Sequence, residues 1–454
     1  MPSRRFPSLR ALVDVFALAD LAGGGDRSVK RSEPATRRTW LFWGCGGVVV
    51  VIRFICPKRA NRVQVCLALA VAACAVFAVP AAAAAKPATV TVMSRNLNLG
   101  ANLELGVRAT SLQGLVNTAG TILHQVDQNN FPVRAKGLAA EILTKNPDLV
   151  GLQEAALWRT GPCTENPLPP QATHVRYDYV QLLLNQLNRG KQRYRVVISE
   201  PEFDFEVYAN TDGNASTAAP GCPLGSEISG RLTMRDVILA RVGRVRTSNA
   251  RGGHFATQLQ VKPAGVALNV TRGWTSVDAQ VPGAAKFRFV NAHLEAFDNQ
   301  SSNHTNTGAD VGNGTIREAQ AKELVKRGGP ATVQLPVILV GDLNSDQRTE
   351  VKPGDALAYE ALLRAGFVER STSHPLGCCL KGDILTTSGG SRLSDFDHKV
   401  DHVMTNAPRK IQLVRSSVTG LKPVNGFWDS DHAGLFSVLT LPPLAPAQPP
   451  PGLG

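Results

Sequence analysis

A strand-like run from Pro336 to Val340 empties into Gly341-Asp342-Leu343-Asn344-Ser345-Asp346, and far down the chain Ser430-Asp431-His432 leads into another apolar run. A carboxylate, an amide and an imidazole are thereby placed at strand ends. Asn96, Glu154, His293 and Asp401 are further polar residues at the edges of apolar runs. Hydrolysing a phosphodiester means bringing an anionic phosphate and a water together while charge is stabilised on the other oxygens. A hard cation does this well, and it takes oxygen ligands. Asn96, Glu154, Asp342, Asn344 and Asp431 all supply oxygen. His293 and His432 add groups able to carry a proton near neutral pH.

Taken singly, each of these residues is an ordinary turn or cap former, since Asn and Asp are the usual residues of tight turns. Asp342-x-Asn344-x-Asp346 also imitates the opening of a calcium loop, but Gln347 stands where that loop needs Gly and Pro353 where it needs its closing Glu. The order in which they occur separates the set from chance. The elements that must hold them alternate in type. Strands are predicted at Thr89 to Met93, Asp148 to Leu152, Tyr194 to Ser199, Val237 to Val242, Phe287 to Ala292, Val337 to Val340, Lys399 to Thr405, Ile411 to Val418 and Leu435 to Leu439. Helices are predicted at Val133 to Lys145, Tyr179 to Arg189 and Asp355 to Arg364, and from a capping box at Thr315-Ile316-Arg317-Glu318 to Arg327. Asn249 to Gly283 reads as an inserted hairpin.

In this setting the chain resembles the endonuclease/exonuclease/phosphatase superfamily, which includes deoxyribonuclease I, abasic-site endonucleases, bacterial neutral sphingomyelinases and inositol polyphosphate phosphatases. Six blocks occur in the family order between Ala88 and Leu441: Ser94-Arg95-Asn96, Leu152-Gln153-Glu154, Asn291-Ala292-His293-Leu294-Glu295, Gly341-Asp342-Leu343-Asn344, Val400-Asp401-His402 and Ser430-Asp431-His432. The resemblance implies an α/β (α+β) fold, a four-layer α/β/β/α sandwich of two stacked, mostly antiparallel sheets flanked by helices. It implies that Glu154 is the principal metal carboxylate, with Asn96 beside it and Asp431 in the same set. The cofactor would be Mg²⁺, or Mn²⁺ or Ca²⁺. Asp342 and Asn344 would orient water or phosphate, and His432 would pair with Asp401. His293 would pair with a second carboxylate, for which Asp236 is the candidate. Which histidine is the general base stays open. Arg159 is read both as a substrate-phosphate donor and as a solvated loop residue. Arg317 and Gln320 are expected to anchor a loop, and His402, one residue after Asp401, to face the other way as a structural group.

Composition narrows the partners. The chain has 454 residues and a formal net charge of +13, but its first 86 residues hold 13 Lys or Arg against 4 Asp or Glu, leaving only +4 for Pro87 to Gly454. The basic character thus belongs to a leader and argues little for a nucleic-acid surface. Within that leader, Cys66 to Ala85 follows Lys58, Arg59 and Arg62 and ends in small residues, the order of a secretory signal. A secreted or cell-surface monomer is expected, with a membrane anchor through the leader as the alternative, and a disordered Pro-rich tail at 443–454. Four of the eight cysteines lie in the leader. Of the rest, Cys163 and Cys222 are expected to pair, and metal ligation is set aside because no C-x-x-C pair or suitably spaced His accompanies them. The predicted substrate is a phosphodiester of nucleic acid or of a phospholipid headgroup. An inactive binding module would have lost Glu154, Asp342, Asp401 or His432, and none is lost.

Overall fold

The computed structural model describes residues 87–163, 170–214, 216–297, 314–346, 356–407 and 409–444. The leader, the loop before the helix at Thr315, and the tail beyond 444 lie outside the described residues, and with them the expected export signal and anchor. Along the chain the strands are β1 (Ala88–Asn96), β2 (Leu149–Gln153), β3 (Leu157–Pro162), β4 (His174–Asp178), β5 (Tyr194–Ala209), β6 (Ile228–Arg241), β7 (Arg246–His254), β8 (Leu259–Val261), β9 (Leu268–Val270), β10 (Gly273–Gln280), β11 (Phe287–His293), β12 (Val337–Asp342), β13 (Val368–Glu369), β14 (Asp401–Thr405), β15 (Leu413–Thr419) and β16 (Gly434–Leu441). The helices are α1 (Glu104–Val107), α2 (Leu112–Gln128), α3 (Phe131–Lys145), α4 (Tyr179–Leu187), α5 (Thr315–Val325) and α6 (Leu357–Arg364).

Strand composition dictates two layers. Segments such as Leu149–Gln153, Phe287–His293 and Val337–Asp342 are buried along their whole length, so both faces of each sheet must be covered. One sheet runs β15-β16-β1-β2-β6-β3-β4 with β5 on the long β6, and the other runs β13-β14-β12-β11-β10-β7. Pairing is antiparallel except for β1 with β2 and β11 with β12. Val90, Val92, Ile238, Phe289, Val340 and Leu439 fill the space between the sheets. Helices α2, α3 and α4 cover the outer face of the first sheet, and α5 and α6 that of the second. The result is the four-layer α/β/β/α sandwich implied by the resemblance.

Several local expectations change. Asn249 to Gly283 is no free-standing hairpin: β7 and β10 are full members of the second sheet, and only the small β8–β9 pair leaves it. Helix α5 has Gly314 at its N-cap, at φ +74°, so Thr315 is its first residue rather than its cap. Helix α2 was not foreseen; Ser111 caps it by accepting from the Gly114 N–H. Cys163 and Cys222 are bonded as expected, and Cys378 is bonded to its neighbour Cys379.

Candidate active site

Register alone puts the chemistry in one row. In the second sheet His293 pairs with Asp342 across the parallel β11–β12 ladder, and Asp342 pairs with Asp401 across the antiparallel β12–β14 ladder. Two carboxylates directly opposed on neighbouring strands repel, and the surroundings offset this. His432 Nδ1 lies 2.8 Å from Asp401 Oδ2, and its Nε2 lies 3.7 Å from Asp342 Oδ2. His293 Nε2 is also 3.7 Å from that oxygen. Asn96 Nδ2 donates to it at 3.0 Å, and the Asn344 N–H donates to Oδ1 at 2.9 Å.

These contacts set the charge states. Burial pushes Asp342 up, but the neighbouring His432 and His293 hold it below the ordinary carboxylate value. Burial works against a charged His432, yet Asp401, Asp342 and Asp431 together raise its pKa well above the usual imidazole value. For Asp401 burial wins and the pKa is raised.

Buried arginines position the loops that carry these groups. Arg134, on α3, donates to the carbonyls of Leu97, Asn98, Asn129 and Asp429, tying the exit of β1 to the segment before His432. Arg95 donates to the His432 carbonyl and pairs with Glu141 at 2.8 Å. Between the sheets Gln153 Nε2 donates to Asn291 Oδ1 at 2.5 Å, and Asn291 Nδ2 donates to the Leu152 carbonyl at 3.0 Å. Gly341, at φ +154°, lets β12 lie against β11, because a Cβ there would sit 2.0 Å from the Ala292 carbonyl oxygen. Glu154 leaves β2 at φ +52°, a conformation costing a non-glycine residue on the order of 1 kcal/mol. Its Oε2 accepts the Leu99 N–H at 2.8 Å, which links it to the loop that follows Asn96.

A second cluster adjoins the row, and most of it went unread in the sequence. His293 Nδ1 faces Glu202 Oε2 at 3.6 Å, so its nearest carboxylate partner is Glu202 rather than the expected Asp236. Asp236 lies just beyond, the ligating atoms of Glu202, Asp236 and His293 all falling within 4.8 Å of one another. Burial and the Glu202 charge raise the Asp236 pKa well above its ordinary value, so Asp236 keeps the proton of the pair. Arg272 Nη1 approaches His293 Nδ1 at 3.2 Å, and its Nε donates to Glu295 Oε2 at 3.2 Å. Burial opposes the charge on Arg272, but Glu295 and Glu202 raise its pKa above the usual value. Neither Glu202 nor Arg272 sits in a motif. The only signal was a charged residue inside a strand-like stretch, which in sequence reads as a solvated face.

Other expectations resolve differently. Arg159 is not at the row: it pairs with Asp204 at 3.3 Å on the first sheet, because β3 register sets it opposite Arg231 and Asp204 bridges the two cations. Asn344, at φ +46°, spends its amide on the Leu294 carbonyl at 2.8 Å, a turn role beside its N–H bond to Asp342. Asp431 is half-buried with Ser430 Oγ at 3.3 Å, and it acts on His432 by charge. His402 faces away from the row, with Glu369 at 2.6 Å and the Ser345 carbonyl at 2.8 Å. Gln320 accepts the Glu295 N–H and Arg317 donates to the Ala296 carbonyl, so both hold the segment after His293.

Beside the row opens an apolar cavity of about 380 Å³, walled by Leu103, Trp158, Phe203, Leu232 and Met234 among others. Leu99, whose N–H holds Glu154, and Arg272, which faces His293, line it as well.

Residues 116–432 match the Endonuclease/Exonuclease/phosphatase family. No curated protein matches the chain. Among solved structures it is similar to a mannosyl-6-phosphatase of Bacteroides thetaiotaomicron (14% identity, covering 78% of this chain and 100% of that one, TM-score 0.43). It is also similar to a family protein of Leptotrichia buccalis (13%, 78% and 100%, 0.44) and to D. rerio TDP2 complexed with single strand DNA product (16%, 78% and 99%, 0.40). The profile match covers well over half of the residues, and the chain belongs to the endonuclease/exonuclease/phosphatase family.

Proposed function

We propose that the chain is a divalent-metal-dependent phosphodiesterase that directs water at phosphorus, exported through its leader. The single observation carrying this reading is the row His293–Asp342–Asp401, with His432 bridging its two carboxylates. The groups around it fit a hard cation. Glu154 and Asn96 offer oxygen, and Asp401 Oδ1 is buried without a hydrogen-bond partner among the described residues. Mg²⁺ held by Glu154 and Asn96 would neutralise phosphate charge and stabilise the leaving oxygen.

The side chains supply the rest. Asp342, kept ionised by the two imidazoles, accepts a hydrogen bond from the attacking water and orients it. His432, kept protonated by Asp401 and Asp342, donates to a phosphate oxygen through Nε2. Arg272 lends positive charge on the His293 side, and burial of the row strengthens each interaction.

For the substrate, the cavity supports a phosphodiester carrying an apolar chain, as in a phospholipid, over a nucleic acid. The recess of about 380 Å³ beside the row matches the size of small-molecule sites and is walled mainly by apolar side chains, with Arg108, Lys262 and Arg272 among its lining to meet a phosphate. The near-neutral charge of residues 87–454 points the same way. The test is full-length protein incubated with sphingomyelin, phosphatidylcholine, plasmid DNA and a short chromogenic phosphodiester, with Mg²⁺ or with chelator. Chelator-sensitive cleavage of the lipids and the chromogenic diester is expected. Full activity in chelator overturns the metal mechanism, and cleavage of DNA alone overturns the substrate assignment.

A further inference from the structure

Cys378 and Cys379 sit between β13 and β14, with their sulfurs 3.9 and 3.7 Å from His432 Nε2. That nitrogen is the one turned toward Asp342, since Nδ1 is taken by Asp401. The ligating atoms of Cys378, Cys379 and His432 all lie within 4.8 Å of one another. No histidine was read at metal-site spacing from these cysteines along the chain; the fold brings one in from the segment before β16. Backbone bonds hold the arrangement from both sides. Cys378 exchanges hydrogen bonds with His398 at 3.0 and 2.7 Å, Leu380 N–H donates to the Asp431 carbonyl at 3.0 Å, and Ala433 N–H donates to the Gly377 carbonyl at 2.7 Å. The main chain therefore keeps both cysteines beside His432.

In the structure the two sulfurs are bonded to each other and carry no charge for a metal. We propose that reducing Cys378–Cys379 opens a soft-metal site, two thiolates and one imidazole, that takes a zinc-class cation and withdraws His432 from hydrolysis. Tetrahedral zinc, with sulfur at about 2.3 Å and nitrogen at about 2.0 Å, sets those ligand atoms about 3.5 Å apart. The two observed sulfur–nitrogen separations are within a few tenths of an ångström of that value, and the sulfurs, bonded to each other here, move apart to about 3.8 Å once reduced. Thiolate ligands select soft cations, whereas the oxygen set around Glu154 selects hard ones, so the two sites sort different metals. With a phosphine as reductant the step balances: phosphorus attacks one sulfur, the S–S bond breaks, and water supplies the oxygen of the phosphine oxide and the protons of two thiols. Metal binding then expels both thiol protons and the Nε2 proton of His432 to solvent. The site itself stands without the hydrolase reading; only its inhibitory consequence rests on that reading.

Cobalt(II) and zinc(II) are the probes, used on the full chain before and after phosphine treatment. The reduced chain is expected to bind one equivalent of Co²⁺ with a thiolate-to-cobalt charge-transfer band that is missing before reduction, is lost in Cys379→Ala and is displaced by Zn²⁺. A Cys163→Ser/Cys222→Ser variant keeps the band. His432→Asn weakens Co²⁺ binding by about tenfold or more, the loss of one of three protein ligands. In Mg²⁺ buffer, Zn²⁺ stops hydrolysis by the reduced wild type and spares reduced Cys378→Ser/Cys379→Ser. A reduced chain without the band, or a band that survives loss of both Cys378 and Cys379, overturns the site. Equal zinc inhibition of wild type and double variant overturns its link to His432. A chain that shows the band and hydrolyses none of the substrates keeps the site and removes the hydrolase reading.

Discussion

At the scale of single residues, the chemistry turns on how His432 is held. One ring nitrogen is fixed by Asp401 and the other is left toward Asp342, so the imidazole is oriented before substrate arrives. His432→Ala should lower the rate of diester hydrolysis by on the order of 10² or more with the fold intact by circular dichroism. Arg272 is a different case, for it neutralises Glu295 and Glu202 in a buried setting. Arg272→Met should cost about 3 kcal/mol or more in denaturant unfolding, because it strands two buried carboxylates. An unchanged midpoint would show that those carboxylates had found another partner. Legibility follows the same division. Asn96, Glu154, His293, Asp342, Asp401 and His432 could be read because each stands at the edge of an apolar run inside a recognisable block. Glu202 and Arg272 could not, since only register and burial separate them from solvent-facing charges.

At the scale of elements, strand periodicity was legible and strand partnership was not. The runs of β1, β2, β11, β12 and β16 are nearly uniformly apolar and stood out in the sequence. Strands β5, β7 and β10 mix Gly, Arg and Glu with apolar residues, and their places in the sheets come from pairing distant in sequence. The Thr315 capping box misled because Gly314, in the left-handed region, already turns the chain into α5. Two outcomes belong here. Gly341→Ala should destabilise by about 2 kcal/mol or more, from its positive φ and the blocked approach to β11. Glu369, on β13, has a pKa that burial would raise but that His402 and Lys399 lower to about 2. A depressed folded-state pKa stabilises above the unfolded value and is lost as pH falls through the folded one. The stability gap between wild type and Glu369→Gln should therefore be full above about pH 4.5, about 3 kcal/mol, and shrink steadily toward pH 2. A gap that is flat from pH 6 to pH 3 would contradict the pairing.

At the scale of the whole molecule, two sheets bring residues 96 to 432 to one rim, and the apolar recess lies against it. Filling that recess tests its role apart from the reacting groups. Met234→Trp should raise KM for a long-chain phosphodiester by about tenfold, about 1.4 kcal/mol, and leave a short chromogenic diester unaffected. Equal effects on both substrates would mean that the recess is only packing space. The sandwich itself followed from uniformly buried strand segments and helical runs between them. The recess did not, since its walls come from β5, β6 and the turns around β8 and β9, which no sequence window joins.

The first strand of the sandwich is zipped to the last, Ala88 lying across from Leu441 and Ser94 from Leu435. A ribosome that has not yet released the final strand has made a chain without its lock, and the imidazole just ahead of that strand is among the last pieces to emerge. A chain stopped before β16 leaves one edge of β1 without its partner.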